Sequence, residues 1–137
     1  MYAIVGATGH IGSHIADSLL DNGKKVRVIG RSADRLSRFV EKGAEAAVGN
    51  VEDTAFLNNA FKDVDAVFSM IPPKFDPEDF RAYQNEIGQS ETDAIKDAGV
   101  KYVVNLSSIG GNFSEGTGVV LGLHDQEERL NAFTDVN

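Results

Sequence analysis

Met1-Tyr-Ala-Ile-Val-Gly6-Ala-Thr8-Gly9-His10-Ile11-Gly12-Ser13 is the stretch from which the rest of the chain can be read. Tyr2 to Val5 is a short apolar run without a helical period, so it predicts a buried strand. Gly6, Gly9 and Gly12 then punctuate a tight turn. Ile11, Ile15 and Leu19 follow at four-residue spacing, the stripe of a helix packed on a sheet. Strand, turn and helix N-terminus together make a place for a pyrophosphate. Free backbone N–H groups and the positive helix end point at it, and glycines let the backbone come close. The spacing G-x-x-G-x-x-G is one residue longer than the dinucleotide fingerprint, and a chain with 14 glycines makes some triplets by chance. The setting between strand and helix is what favours dinucleotide binding over a merely structural turn.

The pattern repeats outward from that stretch. A helix from His10 to Asp21 ends at Asn22-Gly23, a good C-cap pair. Val26 to Gly30 reads as a second strand. Ser32 then caps a helix carrying Leu36, Phe39 and Val40 inward, stopped by Gly43. Ala44 to Gly49 is a short third strand, and Asp53 or Thr54 opens a helix with Phe56, Leu57, Ala60 and Phe61. Ala66 to Ile71 is apolar almost throughout, as a strand buried on both faces is, and Pro72-Pro73 stops it. The longest helix is expected from Pro77 to Ala98, with Gly88 weakening its middle. Tyr102 to Leu106 forms the fifth strand, and a glycine-rich loop leads to an amphipathic segment over Leu121 to Phe133.

Five strands alternating with helices predict an α/β, doubly wound Rossmann fold. Its parallel sheet has the order 3-2-1-4-5, with helices on both faces. Ligands of such sheets sit beyond the strands' carboxyl ends, at the switch point between strands 1 and 4. The glycine turn, Gly30-Arg31, Gly49-Asn50, Ile71-Pro72-Pro73 and Ser107-Ser108 all fall there.

Composition narrows the functional classes. Hydrophobic content of 42% and charged content of 25% over 137 residues fit one ordinary globular domain. Thirteen basic against 21 acidic residues give a net charge of -8, which disfavours direct nucleic-acid or anionic-lipid binding. No apolar run approaches the length of a membrane span, and the N-terminus lacks a basic segment with a cleavable apolar region. The expected compartment is therefore the cytoplasm. The absence of cysteine excludes disulfides, thiolate metal sites and cysteine catalysis.

The end of strand 2 decides between dinucleotides. NAD-specific sites place a carboxylate there for the ribose diol. Gly30, Arg31 and Ser32 carry none, and Arg31 would pair with the extra phosphate of NADP. NADP(H) is the favoured cofactor and NAD(H) the alternative. His10 and His14 share a helix face, but a metal needs further ligands and none is local. No metal site is expected; exposure is expected of His14, and phosphate contact of His10.

The stretch Val5-Gly-Ala-Thr-Gly-His-Ile-Gly12, Arg31, Gly49-Asn50-Val-Glu-Asp53, Pro72-Pro73 and Ala98-Gly-Val-Lys-Tyr-Val-Val-Asn-Leu-Ser-Ser108 resemble the NmrA-like family, atypical short-chain dehydrogenases/reductases. The resemblance implies an NAD(P)-binding domain. Some relatives reduce quinones or similar acceptors with NADPH, and others are redox-sensing regulators without catalysis. Carried over by position, Gly6, Thr8, Gly9 and Gly12 hold the pyrophosphate and Arg31 the adenosine phosphate, with Ile11 of the same turn also counted as cofactor-binding. Asn50 stands where many relatives put an Asp beside the adenine. Ile71 and Pro72 border the nicotinamide ribose, and Ser107 the nicotinamide end.

Two departures follow. The superfamily's Tyr-x-x-x-Lys is absent, since Tyr2, Tyr83 and Tyr102 precede Gly6, Ile87 and Leu106 at that spacing. The nearest substitute acid/base is His124, with Glu128 one turn later to orient the imidazole. The alternative is an exposed pair on the polar face of a helix. Family members also continue into a sixth strand and a substrate lobe, which is expected to be absent here: residues 1–137 read as the cofactor domain alone. An exposed final helix and sheet edge would then invite a second copy or a protein partner. Three readings stand together: an NADPH-dependent reductase, a non-catalytic NAD(P) sensor that binds a protein, or the inactive N-terminal part of a reductase.

Overall fold

The computed structural model describes residues 1–74 and 78–137. Five parallel strands form one sheet in the order β3-β2-β1-β4-β5. They are β1 (Tyr2–Val5), β2 (Val26–Gly30), β3 (Glu45–Val48), β4 (Ala66–Ser69) and β5 (Tyr102–Asn105). Between and after them come α1 (His10–Asp21), α2 (Ala33–Glu41), α3 (Thr54–Ala60), α4 (Phe80–Asp97) and α5 (Leu121–Asn131), the last entered through a 3₁₀ turn at Gly118–Val120. The expected fold class and strand order are those observed.

Strand alternation builds two cores from one sheet. Ala3 and Val5 of β1 face a cluster with Leu57 and Ala60 of α3 and Ala94 and Ile95 of α4. Ile4, between them, faces Ala16 of α1 and Leu36 and Phe39 of α2. Each fully buried large apolar side chain is worth about 2–3 kcal/mol. Side-chain caps set three of the helix starts: Ser32, Asp53 and Asp79 accept from the backbone N–H groups of Arg35, Phe56 and Ala82. The expected first-turn role of Pro77 lies outside the described residues; the observed cap of α4 is Asp79.

Two expectations about packing change. Val40 is exposed, because it lies a further ~100° around α2 from Phe39, off the stripe that Leu36 and Phe39 bury. Ile11 is 48% exposed, and the residues of α1 that meet the sheet most closely are Gly12 and Ala16, with Ile15 and Leu19 packed beside them. The small residues let α1 approach β1; a bulky stripe would hold it off. Gly88 also has a packing role. A Cβ there would run into the Gln126 side chain of α5, so the glycine lets the two helices meet closely.

Candidate functional site

The glycine turn is built by backbone bonds. Gly6 adopts φ +67°, which L side chains rarely tolerate, and a Cβ there would also meet Met70 Sδ at 2.5 Å. Gly9 N–H donates to Gly6 O (2.9 Å), closing the turn, and Ser13 N–H donates to Gly9 O (3.0 Å) as the first helical bond. A Cβ on Gly12 would collide with the Gly6 carbonyl, so Gly12 sets how tightly helix and strand pack. The first-turn amides of His10, Ile11 and Gly12 have no acceptor within the helix. No side chain caps α1 and no acidic residue occupies its first turn. An anion fits this end: donors converge on it and no carboxylate of the helix's own first turn competes.

Two clefts open from the turn. A cleft of about 370 Å³ runs along the strand ends, lined by Gly6, Thr8, Gly30, Arg31, Gly49, Asn50, Glu52, Pro72, Lys74 and Tyr83, among others. The switch point thus brings together Gly6, Thr8, Arg31, Asn50 and Pro72 from four strand ends. The second cleft, about 660 Å³, lies between the first turns of α1 and α2 and is lined by Thr8, Gly9, His10, Ser13, Asp34, Arg35 and Arg38. Arg35 Nη2 reaches Thr8 O at 3.5 Å, while Arg38 is tied to Asp17 at 3.0 Å. From the sequence, Arg35 is one of a few cations near the nucleotide site that could face an anionic ligand, with no particular contact assigned to it. His10 is the first residue of α1 and exposed, as is His14. Ile71 is buried and Ile11 exposed, and neither lines these clefts.

Local chemistry modifies the adenine end. Asn50 does not present a free amide: its Nδ2 donates to Glu52 Oε2 (2.9 Å) and its Oδ1 accepts from Glu52 N–H (3.4 Å). One amide hydrogen and one carbonyl lone pair remain for a ligand. Gly49 admits the Phe56 ring, whose edge a Cβ would meet at 2.5 Å. Tyr83 Oη donates to Pro72 O (3.0 Å), so α4 holds the proline stop at the cleft wall.

The far end of the sheet is organised by α5. His124 Nδ1 lies 2.8 Å from Gly111 O. A carbonyl only accepts, so Nδ1 carries the hydrogen and Nε2 is the ring nitrogen left for other chemistry. Glu128, expected as its orienting partner, is exposed, and the contact that orients the ring comes from the Gly111 backbone. The carboxylate that reaches this loop is Glu127, which accepts from the Ser107 hydroxyl. Ser107 and Glu127 line a third cleft of about 390 Å³ with Asn105 and Asn131, apart from the glycine turn. Glu127 was not picked out by sequence, because nothing local marks a partner twenty residues away.

Beneath the ends of β4 and β5 lies a fully buried acid. Burial pushes the Glu91 carboxyl up to about 8, and the Ser69 hydroxyl that donates to it works in the opposite direction. The group is therefore neutral at pH 7. At the surface, the Arg81 guanidinium grips Asp125 through two bonds of 2.8 Å and holds its carboxyl below the usual carboxylate range.

Comparison with known proteins agrees with this geometry. The chain is 35% identical over 107 residues to a (4-alkanoyl-5-oxo-2,5-dihydrofuran-3-yl)methyl phosphate reductase of Streptomyces griseus, covering 78% of this chain and 34% of that protein. A Citrobacter triphenylmethane reductase solved with NADP(H) superposes with a TM-score of 0.83 at 20% identity, over 96% of this chain and 45% of the other. An NADPH-dependent quinone oxidoreductase of Escherichia coli, solved with NADPH, superposes at 0.79 and 21% identity, over 96% and 44%. Both likenesses show the Rossmann-like fold. The chain spans between a quarter and just over a third of the length of the curated relatives it matches. No helix among the described residues is long and apolar enough to cross a membrane. Residues 6–128 match the family described as NAD(P)H-binding, and with the glycine cradle already in place at the head of α1, the chain belongs to that NAD(P)H-binding family.

Proposed function

We propose that the protein is an NADPH-dependent oxidoreductase acting on a quinone or similar small acceptor. The observation that carries this reading is the pairing of an uncapped, glycine-built helix end with arginines in both adjoining clefts. In it, Gly6, Thr8, Gly9 and Gly12, with the first-turn amides from His10 to Gly12, take the pyrophosphate. Arg31, assisted by Arg35, takes the adenosine phosphate, and the part of the Asn50 amide not used by Glu52 takes the adenine edge. Pro72 borders the nicotinamide ribose, with Ile71 buried behind it, and Ser107 meets the nicotinamide.

Bound NADPH supplies a hydride, and reduction of a quinone to a hydroquinone takes up protons as well. His124 is the residue assigned to hold a proton. Its Nδ1 is committed to Gly111 O, so Nε2 is the atom that carries the proton and recovers it from solvent.

A second reading, a non-catalytic NAD(P) sensor that binds a protein, is favoured by a specific observation. None of the tyrosines has the lysine of the superfamily's proton-transfer pair four residues on, and Tyr83 Oη already serves Pro72 O. The exposed Tyr102 and Val104 on β5 give such a partner, or a second copy, an apolar edge to cover. The cytoplasm, where reduced dinucleotides are available, is the expected compartment.

Titrating the purified protein with NADPH and NADH, then following NADPH oxidation by its near-ultraviolet absorbance across a quinone panel, separates these readings. Turnover that His124→Ala lowers about a hundredfold establishes the reductase and its acid. Tight NADPH binding without turnover favours the sensor, or a domain that needs further chain to act. Binding of neither nucleotide sinks all three.

A further inference from the structure

α5 divides its side chains between two neighbours. Asp125 pairs with Arg81, Arg129 Nη2 donates to Asn85 Oδ1 (2.8 Å), and the fully buried Gln126 packs against Gly88 and reaches Thr92 Oγ1 (3.4 Å). These residues fix the helix on α4. His124 and Glu127, three positions apart and so on a common face, turn to the loop after β5 and hold Gly111 O and Ser107 Oγ. The helix is a bracket anchored on one side and gripping the loop with the other.

The chain leaves space for this grip. Gly111 is buried and outside the left-handed backbone region, so strain does not explain a glycine there. A Cβ at Gly111 would meet Glu127 Oε1 at 2.5 Å and Ser107 Oγ at 2.6 Å. The Ser107–Glu127 pair lies directly over its α-carbon.

The direction of that bond has a chemical consequence. An ionised carboxylate only accepts, so the Ser107 hydrogen is committed to Glu127. What the half-buried serine oxygen still offers is lone pairs. A serine ending this strand with a free hydroxyl could donate to a carbonyl; this one is restricted to accepting.

We propose that Glu127 is a positioning residue for the nicotinamide. By taking the Ser107 proton it makes the serine oxygen an obligate acceptor, which selects the carboxamide N–H side of the cofactor and fixes which way that group turns. The assignment rests on the reading above that Ser107 meets the nicotinamide. It concerns a residue outside that reading, and it predicts a preference between two cofactors rather than binding itself.

The test compares NADPH with its reduced 3-acetylpyridine analogue, in which a methyl group replaces the carboxamide NH₂, leaving an acceptor but no donor. Dissociation constants are measured by titration calorimetry. The natural protein is expected to bind NADPH about tenfold more tightly than the analogue, the worth of one hydrogen bond. In Glu127→Ala the serine hydroxyl is free to rotate and donate, and the gap is expected to shrink to about twofold. Gly111→Ala, which pushes the pair apart from below, should do the same. Glu127→Gln keeps an accepting oxygen at the same reach and should keep most of the gap. Thermal melts of all three variants report whether the fold is intact. A residue that only supports the fold weakens both ligands by one factor; an unchanged ratio in both alanine variants overturns the assignment. So does a collapse in Glu127→Gln as complete as in Glu127→Ala. Failure of the natural protein to bind NADPH at all defeats the cofactor reading beneath it, and is a different result.

Discussion

At the head of α1 the chain makes a binding surface from backbone: a left-handed Gly6, a closed turn to Gly9, and amides beyond it. Behind β5 it makes one from side chains: Ser107, His124 and Glu127, held by a helix that is itself pinned to α4. The first surface is contiguous within thirteen residues. The second is assembled from pieces thirteen and twenty residues apart. Backbone geometry serves any dinucleotide alike, since every one carries the pyrophosphate. Side chains can discriminate, because their donors and acceptors are chosen one at a time. Binding thus falls to the backbone surface and selectivity to the side chains, with Arg31 just after β2 and Arg35 of α2 as the selective element at the adenosine side.

The largest expected effect attacks the backbone surface. Gly12→Ala places a Cβ against the Gly6 carbonyl and Ala7, forcing α1 off β1. NADPH and NADH affinities should both fall by more than about a hundredfold, roughly 3 kcal/mol, as read by calorimetry. Unequal losses would break the claim that this end is indifferent to cofactor.

Next comes the buried acid under the side-chain end. Glu91 has a native value raised to about 8 from 4.5, so the native state holds a proton that the unfolded chain releases. Its stabilising contribution is full below pH 4.5 and is lost as pH rises to about 8. Glu91→Gln keeps the shape without the titration. Urea unfolding should find the two proteins alike near the acid end of that window, and the variant more stable above it by on the order of 3 kcal/mol, at about 1.4 kcal/mol per pKa unit and with some relief from water penetration. Parallel stability curves for the two proteins would exclude a protonated native Glu91.

Arg31→Glu tests selectivity at the adenosine side. NADPH should weaken about thirtyfold, near 2 kcal/mol, while NADH changes less than about threefold. Equal losses would return Arg31 to an ordinary surface role. The smallest effect belongs to Arg35→Ala, about fivefold on NADPH alone, because this exposed guanidinium works in screened solvent.

The same contrast explains what the sequence revealed. Strands, helix caps and strand order follow from local patterns, and Ser32, Asp53 and the glycine turn sit where those patterns require. Arg31 was legible because it ends a strand beside the turn. Glu127 was hidden among Asp125, Gln126, Glu127 and Glu128, a polar run in which pattern gives no rank. Only the approach of α5 to the 107–111 loop distinguishes the acid that binds Ser107 from its exposed neighbour. Ile11 misled for a related reason: spacing alone cannot tell a packed stripe from one that small residues have displaced. The buried Glu91 was equally silent, since an acid in mid-helix ordinarily faces water.

Helices α2, α3 and α4 each bring their own N-cap, in Ser32, Asp53 and Asp79, whereas α1 starts at Gly9 with none. A phosphate at that end would be a cap borrowed from the ligand. Cofactor occupancy then becomes a folding event confined to one helical turn. The amides of His10, Ile11 and Gly12 should exchange with solvent fast in the free protein and slow in the complex, while the caps of the other three helices keep their rates.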